Sequence, residues 1–121
     1  MNRRQVEEKL EILTAGHAVT KNVVSATLNT FDFLAGKLKK QVIEDSDMFW
    51  THMSMALARL ERGECEDEPP NDIINEVYET PYQNMIEEVI DYIDSQAVQE
   101  LPEGERAYFY LHLHRVIECN Q

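Results

Sequence analysis

Two histidines, His52 and His112, are the residues of this chain whose type and setting best suit chemistry. Each lies in a segment whose apolar spacing predicts a helix, with an arginine farther along the same segment, Arg59 after His52 and Arg115 after His112. An imidazole can bind a metal ion, occupy a polar position in a core, or act as a nucleophile. For a lone histidine on an apolar helix, the core position is the more common of these.

Metal binding is disfavoured by the spacing of the histidines and cysteines. His112 and His114 are two residues apart, and on a helix this spacing turns their side chains roughly 200° away from each other. The chain has no HExxH motif, and Cys65 and Cys119 are not part of a CxxC pattern. We therefore expect no metal ion or other cofactor, with His17 and His114 solvated or locally hydrogen-bonded.

The charge of the chain excludes several classes of partner. A formal net charge of -12 at pH 7 opposes direct binding to nucleic acid and to anionic membranes. The one basic cluster, Lys37, Lys39 and Lys40, is short and is read as a solvated helix end. No segment approaches the ~20 apolar residues of a membrane span, and the N-terminus lacks a signal-like apolar run. We expect a cytoplasmic protein with one domain over residues 1–121 and no DNA- or RNA-binding domain.

Apolar periodicity predicts an all-α fold, a compact bundle of about five helices. Asn2, Thr20 and either Asp45 or Ser46 are predicted to cap the first three helices, and Gly63 to end the third. The last helix is apolar around most of its circumference, so we expect it at the centre of the bundle. The predicted helical segments are residues 3–14, about 20–40, 48–62, 73–77 resuming at 85–93 after Pro81, and about 102–118.

The segments around the two histidines resemble the histidine motifs of the PTS regulation domain (PRD), a helical module that sugar phosphotransferase systems phosphorylate on histidine. The resemblance covers roughly residues 5–118. Its first part is Thr51-His52-Met53 followed by Ala58-Arg59-Leu60, and its second part is Glu105, Tyr108, Phe109, His112 and Arg115. The loop containing Pro70, the Glu-Val-Tyr segment at 76–78 and the Leu-Pro-x-x-Glu segment at 101–105 follow the family order.

The resemblance implies that His52 and His112 are phosphorylation sites, with the phosphocarrier HPr or an enzyme IIB as phosphoryl donor. It also implies that Arg59 and Arg115 steady the phosphoryl group, and that the protein is a homodimer. Thr51 departs from the aspartate that many first PRDs carry before the first histidine. Regulators of this family usually add an RNA- or DNA-binding domain, and the 121 residues leave no room for one beside the PRD. We therefore expect a stand-alone PRD that senses carbohydrate transport and regulates transcription through a protein partner or its own dimer state.

The two histidines are not predicted to be equivalent. His52 lies at the border of its apolar arc, so we expect it to be the more accessible acceptor. His112 lies on a crowded helix and is expected to be reachable only at a groove or an interface. Arg115 is one turn from His112, whereas Arg59 is two turns, or ~10 Å along the axis, from His52.

Two other functional classes remain as alternatives. A helical interaction or scaffold protein could keep the PRD fold without using His52 or His112 as phosphoacceptors. An enzyme is disfavoured, because the adjacent carboxylates Glu87 and Glu88 point about 100° apart on a helix and no phosphate-binding loop is present. We expect no catalytic activity and no catalytic residue.

Overall fold

A computed structural model describes residues 1–64 and 80–121, and within them the protein forms five α-helices. These are α1 (Arg3–Ala15), α2 (Lys21–Leu38), α3 (Asp47–Glu61), α4 (Gln83–Gln96) and α5 (Glu103–Cys119). The all-α prediction is confirmed, and the helix bounds agree with the periodicity to within a few residues. The predicted loop after residue 64 and the helical run at 73–77 lie outside the described residues. None of the described helices is long and apolar enough to cross a membrane.

The helix ends follow from local hydrogen bonding. Asn2 and Gln5 form a reciprocal capping box at the start of α1, with bonds of 2.8 and 2.9 Å. Thr20 caps α2 by accepting a bond from the backbone amide three residues on. Ser46 is the N-cap residue of α3, but its hydroxyl bonds to a loop carbonyl instead of the helix. Gly63 follows α3 with a φ of 76°, a left-handed conformation that glycine adopts without a steric cost.

Among the helices that the structure describes, α2 has the most helix neighbours, and the central position predicted for α5 stays a prediction. Helix α2 packs against α1, α3 and α4, whereas the main contacts of α5 are with α3 and α4. Two buried threonines, Thr27 and Thr30, satisfy their hydroxyls by donating to the carbonyl four residues earlier on α2, each at 2.8 Å. This internal bonding lets a helix with polar residues be enclosed on several sides.

An aromatic contact fixes α3 against α5. The rings of Phe49 and Phe109 are buried and pack edge to face with centroids 6.1 Å apart, and Trp50 packs against Phe49 at 4.8 Å. His52 lies three residues after Phe49, and His112 lies three residues after Phe109. The aromatic pair therefore brings both histidines to the same side of the α3–α5 contact.

Candidate functional site

His52 and His112, which are 60 residues apart in the sequence, are neighbours in space. Their ring centroids are 5.3 Å apart, with a tilt of 33° between the ring planes. Tyr108 completes the group, with its ring 5.3 Å from that of His52 and stacked at 6.4 Å on that of His112. The structure thus joins the two predicted motifs into one site between α3 and α5.

The same two helix faces carry a second pair of charged residues. Arg59 follows His52 by seven residues on α3, and Glu105 precedes His112 by seven residues on α5. Seven residues are almost two helical turns, so each pair shares a helix face. Because α3 and α5 run antiparallel here, Arg59 meets Glu105. The Glu105 carboxylate lies between His52 and Arg59, with Oε2 3.6 Å from His52 Nε2 and Oε1 3.6 Å from Arg59 Nη2.

Glu105 is the only buried carboxylate in the part of the chain that the structure describes, with 3 % of its side chain exposed. Burial by itself would raise the pKa of Glu105, but the contacts with His52 and Arg59 outweigh it and lower the pKa below its usual value. The carboxylate is therefore ionised at neutral pH. It links α3 and α5 through charge contacts that are slightly longer than a hydrogen bond.

His112 lies on the wall of a cleft of about 700 Å³, together with the exposed Arg115. Burial lowers the pKa of the half-buried His112, and the positive charges of His52 and Arg115 lower it further. The ring is therefore mainly neutral at physiological pH. A neutral imidazole keeps a lone pair on one nitrogen, which is what a nucleophile requires.

The prediction that His52 is the more accessible acceptor stays a prediction, because only one of its ring nitrogens is seen to be buried while its side chain is 21 % exposed. His52 Nε2 is buried and faces Glu105, so this nitrogen of His52 does not face solvent. His112 lines the cleft. Arg59 contacts Glu105, while Arg115 opens onto the same cleft as His112.

The bridging role of Glu105 was not predicted. The sequence identified this residue as part of a motif and a helix start, but gave it no role at the site. Its spacing of seven residues from His112, matched by the spacing of His52 and Arg59, was the available signal. The pairing across helices depends on α3 and α5 being antiparallel neighbours, which the spacing alone does not reveal.

The remaining histidines lie apart from this site. His17 is exposed in the turn after α1 with a φ of 60°. His114 points to a different side of α5, where Nε2 is 3.5 Å from Glu118 Oε2 and the ring lies 6.1 Å from that of Tyr82. Within residues 1–64 and 80–121, no group of three or more histidine, cysteine or acidic side chains could hold a metal ion.

Comparison with known proteins identifies the family of this chain. A family model described as "PRD domain" matches residues 32–116, a range that contains His52, Arg59, Glu105, His112 and Arg115. Neither the curated proteins nor the solved structures give a significant match. Since the family match spans most of the 121 residues and includes both faces of the α3–α5 site, this chain belongs to the PRD domain family, whose members are regulatory domains of phosphotransferase systems.

Proposed function

We propose that this protein senses the state of a sugar phosphotransferase system through reversible histidine phosphorylation. His112 is the first acceptor, His52 is the second candidate, and the donor is phosphorylated HPr or an enzyme IIB. The output is transcriptional regulation through a protein partner or through the protein's own homodimer. The observation that carries the proposal is the half-buried, mainly neutral His112 beside Arg115 in a cleft.

The transfer step requires little from the protein. A lone pair on one His112 nitrogen forms the new N–P bond, the bond between phosphorus and the donor atom breaks, and the donor atom keeps that electron pair. The other imidazole nitrogen carries the ring proton. Arg115 is one turn from His112 and supplies a guanidinium that can pair with the phosphoryl oxygens. No cofactor is needed for this exchange.

Phosphorylation of His112 would change the charge balance between α3 and α5. A phosphoryl group adds about -1.5 to -2 charges at pH 7. The His52 ring is 5.3 Å from that of His112, and Glu105 lies on the other side of His52. The new anion would repel Glu105 and attract Arg59, which now contacts Glu105. A shift in the α3–α5 contact is therefore the proposed signal.

The contact between His52 and Glu105 also favours a second candidate function. A histidine whose Nε2 faces a buried carboxylate is well suited to hold two helices together without accepting a phosphoryl group. In that case the protein is a helical interaction module that keeps the PRD fold and binds its partner regardless of phosphorylation. Replacing His112 by glutamine would then leave partner binding intact.

The two functions are separated by phosphotransfer with single histidine variants. Wild-type protein is incubated with phospho-HPr or phospho-enzyme IIB, and the attached phosphoryl group is counted by intact mass at neutral or alkaline pH. His112→Gln is expected to lose most of the label, and His52→Gln to keep it. His17→Gln is the control, because His17 is exposed and distant in sequence from both motifs. Undiminished labelling of a His52→Gln/His112→Gln variant would eliminate the phosphoacceptor function.

A further inference from the structure

The cleft that contains His112 has several acidic residues on its rim. It is formed by the N-terminus and first turn of α1, the connection between α2 and α3, the start of α3 and the C-terminal half of α5. We call it the acidic cleft. The residues that define it are Glu44, Asp45, Asp47, Met48, His112 and Arg115.

The acidic side of the cleft is held in place by a buried amide. Asn120, 4 % exposed, clamps residue 44 from both sides: its Oδ1 accepts from the Glu44 amide at 2.7 Å, and its Nδ2 donates to the Glu44 carbonyl at 2.9 Å. Next to it, the buried Ser46 hydroxyl donates to the carbonyl of the fully buried Ile43 at 2.7 Å. The rim is therefore preformed, and binding there would cost little ordering of the loop.

Two large apolar side chains are exposed at this cleft. Met48 is 72 % exposed and Val42 is 42 % exposed, and both line the cleft wall. Exposed apolar groups within a ring of charged residues are typical of the centre and rim of a protein interface. The surface around His112 is thus suited to a protein and not to a small polar ligand alone.

The charges of the rim indicate the kind of protein. Three exposed carboxylates outnumber the two cations of the cleft wall, which are the Arg115 guanidinium and the Met1 ammonium group that donates to the Ile43 carbonyl. A second copy of the chain would place the same carboxylates opposite each other and would carry a further charge of -12. Like charges facing across an interface oppose association, whereas opposite charges accelerate it.

We propose that the acidic cleft is the docking surface for the phosphoryl-donor protein, and that the donor presents basic residues and an apolar side chain around its phosphorylated group. This inference rests on the proposed function of His112. The carboxylates attract the basic rim of the donor, Met48 and Val42 contact its apolar part, and Arg115 pairs with the phosphoryl oxygens while His112 accepts the group. The bond between phosphorus and the donor atom breaks, with its electron pair left on the donor atom, as the His112 N–P bond forms.

A direct consequence is that the acidic rim acts in opposite directions on two kinds of donor. It speeds transfer from a basic protein, but it repels a small anion such as phosphoramidate, whose P–N bond breaks to release ammonia. Reversing the rim charge in Glu44→Lys/Asp47→Lys is therefore expected to slow labelling by phospho-HPr or phospho-enzyme IIB by about tenfold or more at low salt. The same variant should be labelled faster than wild type by phosphoramidate.

A matched variant controls for overall charge. Glu11→Lys/Glu100→Lys reverses two exposed carboxylates outside the cleft, so it changes the net charge by the same amount. It is expected to alter either rate by less than about threefold, because charges beyond a Debye length of about 8–10 Å are screened. Circular dichroism checks that each variant is folded.

A second pair of variants tests whether apolar side chains at the cleft contribute to donor binding. Met48→Gln removes an apolar side chain at the cleft, and Ile12→Gln removes one from α1 with 73 % exposure against 72 % for Met48. Only the Met48 variant is expected to weaken binding of unphosphorylated HPr or enzyme IIB, by about fivefold, measured by isothermal titration calorimetry. Equal effects of the two variants would overturn the docking assignment.

The outcomes separate this inference from the proposed function. If a protein donor labels His112 at the same rate in wild type and in Glu44→Lys/Asp47→Lys, the docking surface is overturned and the phosphoacceptor proposal stands. Labelling by phosphoramidate alone, with no binding of either donor protein, also overturns the docking surface. A dimer that dissociates on Glu44→Lys/Asp47→Lys substitution would assign the cleft to a second copy. Absence of label from every donor overturns both proposals.

Discussion

Glu105 shows how one buried charge organises the site at the scale of single residues. Its carboxylate is 3 % exposed, yet it stays ionised because His52 and Arg59 approach it from α3. Removing one partner of a buried ion pair is usually destabilising. The motif residues could be predicted from the sequence, but this pairing could not, because it joins side chains more than 40 residues apart.

Glu105→Gln tests the charge of this contact while keeping the shape of the side chain. We expect a loss of roughly 1–3 kcal/mol in the free energy of unfolding, because Arg59 and His52 lose their anionic partner. Glu103→Gln is the control, since Glu103 lies in the same first turn of α5 but is exposed. Urea denaturation at neutral pH measures both. Equal losses would show that the helix N-terminus, and not the contact with α3, stabilises Glu105.

His112 gives a prediction about pH. Its pKa in the folded protein is expected below the ordinary value of 6.5, mainly because of burial, and NMR titration of its ring measures this directly. His52→Gln should raise the His112 pKa toward 6.5 by removing a neighbouring positive charge. A His112 pKa at or above 6.5 in the wild-type protein would contradict the described environment.

The lowered pKa of His112 also fixes the sign of a stability effect. Above the unfolded pKa of about 6.5 the His112 ring is neutral in the folded and the unfolded state, so its contribution to the free energy of unfolding is fully present. As the pH falls from there through the folded pKa, the unfolded state binds the proton more readily, so stability is lost. His112→Gln should therefore flatten the decline in unfolding free energy between about pH 6.5 and pH 5, relative to wild type.

At the scale of the elements, helix positions were predictable and helix neighbours were not. Periodicity and capping residues such as Asn2 and Thr20 are local signals, and they located the helices. The contacts of α2 with three other described helices were not predicted, because its buried Thr27 and Thr30 reduce its apolar character while bonding within the helix. The antiparallel contact of α3 with α5, on which the site depends, is a tertiary property with no local signal.

The α2–α3 connection provides the test at this scale. Asn120→Ala is expected to lower the free energy of unfolding by roughly 2 kcal/mol, because the backbone of Glu44 loses both bonds to a buried amide. Asn29→Ala is the matched control, since its amide makes an exposed bond to Gln96. Amide chemical shifts should move around residues 43–46 only in the Asn120 variant. Similar denaturation midpoints for the two variants would argue against the clamp.

For the whole molecule, charge is the dominant global property. The chain has 23 acidic residues and 11 lysines and arginines, and the described ion pairs are mostly exposed. Exposed pairs contribute little, whereas the excess negative charge repels itself in the compact state. Composition therefore predicts the exclusion of anionic partners, but it did not predict the acidic cleft, which brings together residues from several parts of the chain.

Screening of this excess charge should stabilise the protein. Raising NaCl from low salt to about 0.5 M is expected to increase the melting temperature by roughly 3–6 °C, equivalent to about 1 kcal/mol. A thermal scan followed by circular dichroism at pH 7 measures the shift. A lower melting temperature at high salt would mean that attractive ion pairs outweigh the net repulsion.

The central claim is that His112 accepts a phosphoryl group, and NMR of the wild-type protein tests it most directly. Protein labelled with ¹⁵N in histidine is incubated with phospho-HPr or phospho-enzyme IIB, and ³¹P–¹⁵N coupling locates the new bond. The account predicts coupling to a ring nitrogen of His112, with an intact contact between His52 and Glu105 before transfer. The absence of a phosphoryl group from His112, under conditions in which the donors are active, would contradict it, whether or not His52 is labelled.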